Sequence, residues 1–247
     1  MSLTKGTVYT ALTNLNLRVN QINDISALEG FTYLDILCLS DNQISDISAL
    51  RKSTRLTFID ISRNKITEIS AIENCNNISA INLTDNKISS ISALEGMIKL
   101  EDVFLDINQI VDVSPLKNAT DLDMLGLEQN QISDISSLGC LTKLTSLGLS
   151  DNEISDISAL KDLKYVGMLT LANNRISNID ALGNLTNLYC LFLSNNQIED
   201  ISILKNLKGL SSLYLSGNEI SDYSPVKGYY NQLTDKDFEL EDPLILN

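Results

Sequence analysis

Residues 125–138 read LGLEQNQISDISSL, and residues 147–160 read LGLSDNEISDISAL. The second stretch repeats the first after 22 residues, and the same frame extends in both directions. Asparagine recurs at 20, 42, 64, 86, 108, 130, 152, 174, 196 and 218, always 22 apart. Ile stands two places after each, from Ile22 to Ile220, and Leu or Ile three places before, from Leu17 through Ile61 to Leu215. Another apolar residue lies five places before, from Leu15 through Ile59 and Val103 to Leu213. Further aliphatic columns lie five and eight places after. Ten copies without an insertion identify a repeat architecture.

Each column has a physical meaning. The segment LxLxxN alternates apolar and polar, so it is a short strand with one face inward: Leu147 and Leu149 point in, Ser146, Gly148 and Ser150 point out. The phrase DIS then supplies a serine (Ser26, Ser48, Ser70) suited to capping one helical or 3-10 turn. A unit this short leaves little room for a full helix, which averages about 11 residues. No unit buries its apolar side alone, so the units stack, and stacked strands form a parallel sheet with neighbours about 4.8 Å apart. The Asn stands where the chain turns inward and loses its ladder partners. Its amide donates and accepts, and leaving a buried polar group unpaired costs about 1–3 kcal/mol. The ten asparagines therefore read as structural. The predicted fold is an α/β solenoid: a right-handed superhelix of 22-residue units with a parallel sheet on its concave face and short 3-10 or loop segments on its convex face.

The composition narrows the function. Of 247 residues, 43% are apolar, enough for a sizeable core. Asp and Glu number 32 against 18 Lys and Arg, a net charge of −14, which argues against a nucleic-acid partner and leaves soluble behaviour or a basic partner as the natural readings. Histidine is absent, which excludes Ser-His-Asp and Cys-His nucleophile pairs and His-based zinc sites. No apolar run approaches the roughly 18 residues of a membrane span, and residues 1–20 lack a secretion-signal pattern. Cys38, Cys75, Cys140 and Cys190 show no ligand spacing and read as free thiols; Cys38 and Cys190, with no basic residue evident nearby, are expected to be inert.

Phrases such as NQISDISAL (42–50), NQISDISSL (130–138) and NEISDISAL (152–160) resemble the leucine-rich repeat superfamily, above all its bacterial internalin-type repeat. They are also similar to the repeats of phosphatase-regulating leucine-rich repeat subunits. The resemblance spans about residues 10–228. It implies recognition of a protein on the concave face: a host receptor for internalin-like proteins, a phosphatase for the regulatory subunits. It further implies a cell-surface or secreted location if the chain is a fragment of an internalin-like protein, and a cytoplasmic one otherwise. Residues 1–10 form a thin N-terminal edge, with Val8 and Tyr9 offering a strand; residues 11–228 carry the ten units; residues 229–247, with Tyr229, Tyr230, Leu233, Phe238 and Leu240, form a C-terminal cap.

Candidate binding residues follow from the frame. Outward strand positions lie two, four and six places before each Asn, and the framework gives no reason for large apolar residues there. Phe58, Phe104, Met124, Met168, Phe192 and Tyr214 break that rule and are expected to project from the concave sheet as interface anchors. Asp60, Asp102, Asp106 and Glu128 are expected to ring Phe104 in acid, matching a basic protein segment, with Gly126 and Gly148 leaving a shallow trough beside it. Met168, Cys190, Phe192 and Tyr214 form a second candidate patch. The acidic column four places after each Asn (Asp24, Asp46, Asp134 and onward) is linear, unlike a calcium site, and reads as capping turn amides. No metal, cofactor or catalytic residue is predicted; an acid–base pair from Asp102, Asp106 or Asp60 on an open sheet lacks the closed pocket that shifts a pKa. The rival non-catalytic readings are a phosphatase regulatory subunit and a structural spacer in a larger bacterial surface protein.

Overall fold

The computed structural model describes residues 12–240. Its strands form one parallel sheet in strict sequence order: β1 (Asn14–Asn16), β2 (Ile36–Cys38), β3 (Phe58–Asp60), β4 (Ala80–Asn82), β5 (Asp102–Phe104), β6 (Met124–Gly126), β7 (Ser146–Gly148), β8 (Met168–Thr170), β9 (Cys190–Phe192), β10 (Ser212–Tyr214) and β11 (Asp235–Lys236). From β1 to β10 each residue pairs with the one 22 places on, as Leu125 with Leu147. The crossovers carry 3-10 turns such as Ser136–Cys140 and, among the described residues, no α-helix. The sheet lines the inner curve of the solenoid and the turns its outer curve. The expected edge strand at Val8 and Tyr9 lies outside the described residues.

Between sheet and turns runs one continuous core. Unit six shows its make-up: Leu125, Leu127, Ile132, Ile135, Leu138, Leu141 and Leu144 are all buried. Every unit contributes the same columns, so burial is shared between neighbours and the described residues form one core.

The asparagine ladder takes the form expected of it. Asn108 donates from Nδ2 to the carbonyls of Leu105 and Asp106 in its own unit and of Leu83 in the unit before, while its Oδ1 accepts the Ile88 amide. The acidic column is likewise structural: Asp46, Asp112, Asp134, Asp156, Asp200 and Asp222 each accept the amide of the serine two places on. Aspartate, one place before an isoleucine N-cap, thus satisfies the first amide of the 3-10 turn, and the serine expected as the cap is the turn's first residue, donating to it.

One column went unforeseen. The residue before each Asn is left-handed, with φ of 52–58° from Val19 and Asp41 to Asn195, and glycine takes the place at Gly217. Asp and Asn dominate it because their short side chains tolerate that region; Val19 and Ile107 are β-branched exceptions.

The period breaks at the end. β11 pairs with β10 at an offset of 23, which sets Lys236 beside Leu213 where every other unit has an aliphatic residue. Tyr229, Leu233 and Phe238 are buried against the last unit, the Tyr229 hydroxyl donates to the Leu204 carbonyl, and Phe238 stacks on Tyr223.

Candidate partner-binding face

The inward side chains of the strands are consumed by the core, so the face available to a partner is made of the alternate positions. Phe58, Phe104, Phe192 and Tyr214 are half-buried on it and none belongs to the core, while Met124 and Met168 are exposed. The parallel register aligns these side chains. Phe58 stands between Ile36 and Ala80, Phe104 between Asn82 and Gly126, and Phe192 lies 4.4 Å from Tyr214, ring centre to ring centre.

The expected acidic ring around Phe104 is largely tied up within the chain. Asp60 is only 4% exposed: it pairs with the Arg18 guanidinium two units away and accepts the Ser62 amide and hydroxyl. Asp106 accepts the Glu128 amide at 2.9 Å and the Thr84 hydroxyl, and burial raises its carboxyl above the usual range despite those hydrogen bonds. Glu128 accepts the hydroxyl of Thr170, again two units away.

These carboxylates also fill the expected trough. A Cβ on Gly126 would stand 2.5 Å from the Asp106 carboxylate, and one on Gly148 3.1 Å from the Glu128 side chain. The two glycines exist to let acidic side chains lie across the sheet, not to admit a partner.

Asp102 is different. Its side chain accepts no hydrogen bond among the described residues; burial raises its carboxyl, and the charges of Asp123 and Glu101 raise it further. The more open acids of the face are therefore Asp102 and the exposed Glu101 and Asp123, the last accepting the Thr145 hydroxyl, and they are displaced from Phe104 toward the beginnings of the strands.

The second patch is larger than the outward columns suggested. Tyr189, seven places before Asn196, is 51% exposed and lies over Gly167, where a Cβ would meet its ring at 2.6 Å. Tyr165 nearby is 65% exposed. The signal was present in the sequence as a tyrosine in a column otherwise small or polar, but that column was not counted as part of the face. Cys190, expected to point outward, is buried, as is Cys38; burial raises both thiols, and it outweighs Arg18, a basic neighbour of Cys38 that sequence reading missed.

A hollow of about 600 Å³ lies on the 3-10 side between Ser158, Lys161, Asn178 and Asn184, away from the carboxylates of the sheet. No helix of the described residues is long and apolar enough to cross a membrane.

A parallel sheet of ten equal units, backed by 3-10 turns and stapled by an asparagine ladder, defines a leucine-rich repeat solenoid. Profiles described as "Leucine Rich repeats (2 copies)" match residues 10–52, 34–74 and 54–96, and one described as "Leucine-rich repeat" matches residues 105–233. The chain belongs to the leucine-rich repeat family, with internalin-type units. An internalin (InlF) of Listeria monocytogenes is 32% identical over 94% of this chain and 82% of its own, with a TM-score of 0.67. Internalin C2 of the same organism is 35% identical over 74% of this chain and 80% of its own, with a TM-score of 0.71. The plant peptide hormone receptor RGFR1, solved in complex with RGF2, is 28% identical over 85% of this chain and 36% of its own, with a TM-score of 0.76. Curated protein sequences give no match.

Proposed function

We propose that this chain is a non-catalytic recognition module that binds a protein partner, basic in character, on the concave face of its arc. The observation that carries the reading is the set of large apolar side chains (Phe58, Phe104, Met124, Met168, Phe192 and Tyr214) outside the core on a face whose backbone is already fully laddered. Holding them there serves no framework purpose, and a rigid sheet presents them with little ordering cost on binding. Asp102 supplies open negative charge, while Asp60, Asp106 and Glu128 shape the face from within. The solved complex of RGFR1 with a peptide hormone supports the reading by analogy of fold.

The test is partner capture with the Phe104→Ser/Phe192→Ser double variant. Loss of about 2 kcal/mol per anchor, hence a complex weaker on the order of a thousandfold for the pair with the thermal midpoint nearly unchanged, is the expected result. Undiminished capture by the folded variant rules the concave face out and leaves the spacer reading.

A further inference from the structure

Charge is sorted across this molecule. Among the described residues, the outward strand columns of β1 to β10 and the column just before each strand hold a single cation, Arg18, which is spent on Asp60. Lys99 and Lys143, at the edge nearest Glu101 and Asp123, are engaged by Asn77 and Asp121. Among the described residues, no cation therefore pairs with Glu101, Asp102 or Asp123. The same two columns that carry these acids on β5 and β6 run on to Met168 at β8 and to Tyr189 just before β9. From there Phe192 and Tyr214 extend the apolar surface across the face.

We propose that this strip is a two-point dock for an extended segment of a protein partner, which sets a Lys or Arg against Glu101, Asp102 and Asp123 and an apolar side chain against Met168 and Tyr189. The proposal rests on the concave-face reading above and adds the chemistry and spacing of the occupant. From β5 to β8 is three strand spacings, about 14 Å. In an extended chain, residues four apart point to the same side and lie about 13 Å apart, so the cation and the anchor belong four residues from each other. A helix rises only about 1.5 Å per residue and needs some nine residues for the same span, which are not on one face. Burial, and then the charges of Asp123 and Glu101, raise the Asp102 carboxyl, and an incoming cation relieves that repulsion.

The experiment selects random twelve-residue peptides displayed on phage against the intact chain and measures the best of them as synthetic peptides. The expected sequences carry Lys or Arg four residues from a large apolar residue. Their affinity falls about tenfold with Glu101→Gln/Asp102→Asn/Asp123→Asn, as three exposed charge pairs predict, and by a similar factor with Met168→Ser/Tyr189→Ser, while Lys161→Ala on the 3-10 side changes nothing. Circular dichroism confirms that each variant is folded. Should a variant unfold, raising the salt concentration on the unaltered chain must weaken the peptide instead. Peptides without the cation, failure to enrich any sequence, or affinity indifferent to both the acids and salt overturns the dock. Where such peptides still respond to Phe104→Ser/Phe192→Ser, the concave face survives without it; where they respond only to Lys161→Ala, both readings fall.

Discussion

The asparagine ladder and the outward strand columns run through the same ten units, two to six residues apart, and obey opposite rules. From Asn42 to Asn218 each ladder asparagine serves two units at once, and those at 42, 86, 108, 152, 174 and 196 are buried. No other side chain of that size donates to three carbonyls and accepts an amide at that corner, so the column admits one residue. The outward columns serve no neighbour in this obligatory way and hold Asn, Phe, Asp, Gly, Met, Ser and Thr in turn. The difference teaches where the fold ends and recognition begins: invariance within the chain marks what stacking requires, and variation marks what it leaves free.

The comparison breaks most visibly at the ladder. Asn108→Ala strips partners from the Leu83 and Leu105 carbonyls and the Ile88 amide. With buried unpaired groups at about 1–3 kcal/mol each, a loss on the order of 3 kcal/mol or more is expected in urea denaturation. Phe104→Ser, four residues earlier, should cost well under half as much. Equal losses would erase the distinction.

A smaller effect sharpens the boundary where it is blurred. Gly126 is an outward position that does serve its neighbour, because it makes room for Asp106. Gly126→Ala is expected to cost about 1–2 kcal/mol, and pairing it with Asp106→Ala should recover part of that loss, a coupling that a double-mutant cycle measures directly.

The smallest effects are in pH. Burial pushes the Asp237 carboxyl up, but the Ser194 and Ser216 hydroxyls and the Leu215 and Ser216 amides outweigh it, and its pKa is net lowered. Its stabilisation is present above the ordinary carboxylate range and is lost as pH falls through the depressed folded value. Asp106 has the opposite sign: a raised pKa means the charged form is disfavoured in the fold, so its cost is relieved as pH falls through the raised value. Asp237→Asn should therefore lower the thermal midpoint at neutral pH and flatten its decline in acid, whereas Asp106→Asn should leave the neutral midpoint the same or higher.

The frame itself was legible because each column repeats its physics ten times: the aliphatic columns, the strand LxLxxN and the ladder asparagine all stand where the pattern placed them. What was not legible lies in side chains that reach past their neighbour. Arg18 spans to Asp60 and Glu128 to Thr170, each across a whole unit, and each passes over small residues, Cys38 and Ser40 in one case and Gly148 in the other. Reading columns at an interval of 22 sees adjacent units and misses these bridges, so Asp60 and Glu128 looked open when they were already engaged. The turn cap was misassigned for a related reason. Asp and Ser both occur in DIS, and only the backbone geometry tells which accepts and which donates. Tyr189 escaped because the outward face was taken to begin one residue too late, at Cys190, leaving out the column just before each strand.

Methionine oxidation tests the central claim most directly. Met124 and Met168 stand on the concave face at 36% and 37% exposure, while Met97 at 1% is buried in the core. In the free chain, hydrogen peroxide should oxidise Met124 and Met168 and spare Met97. With the captured partner bound, protection of Met124 and Met168 is the predicted result. Unchanged oxidation of both in a saturated complex would place the partner elsewhere and contradict the account.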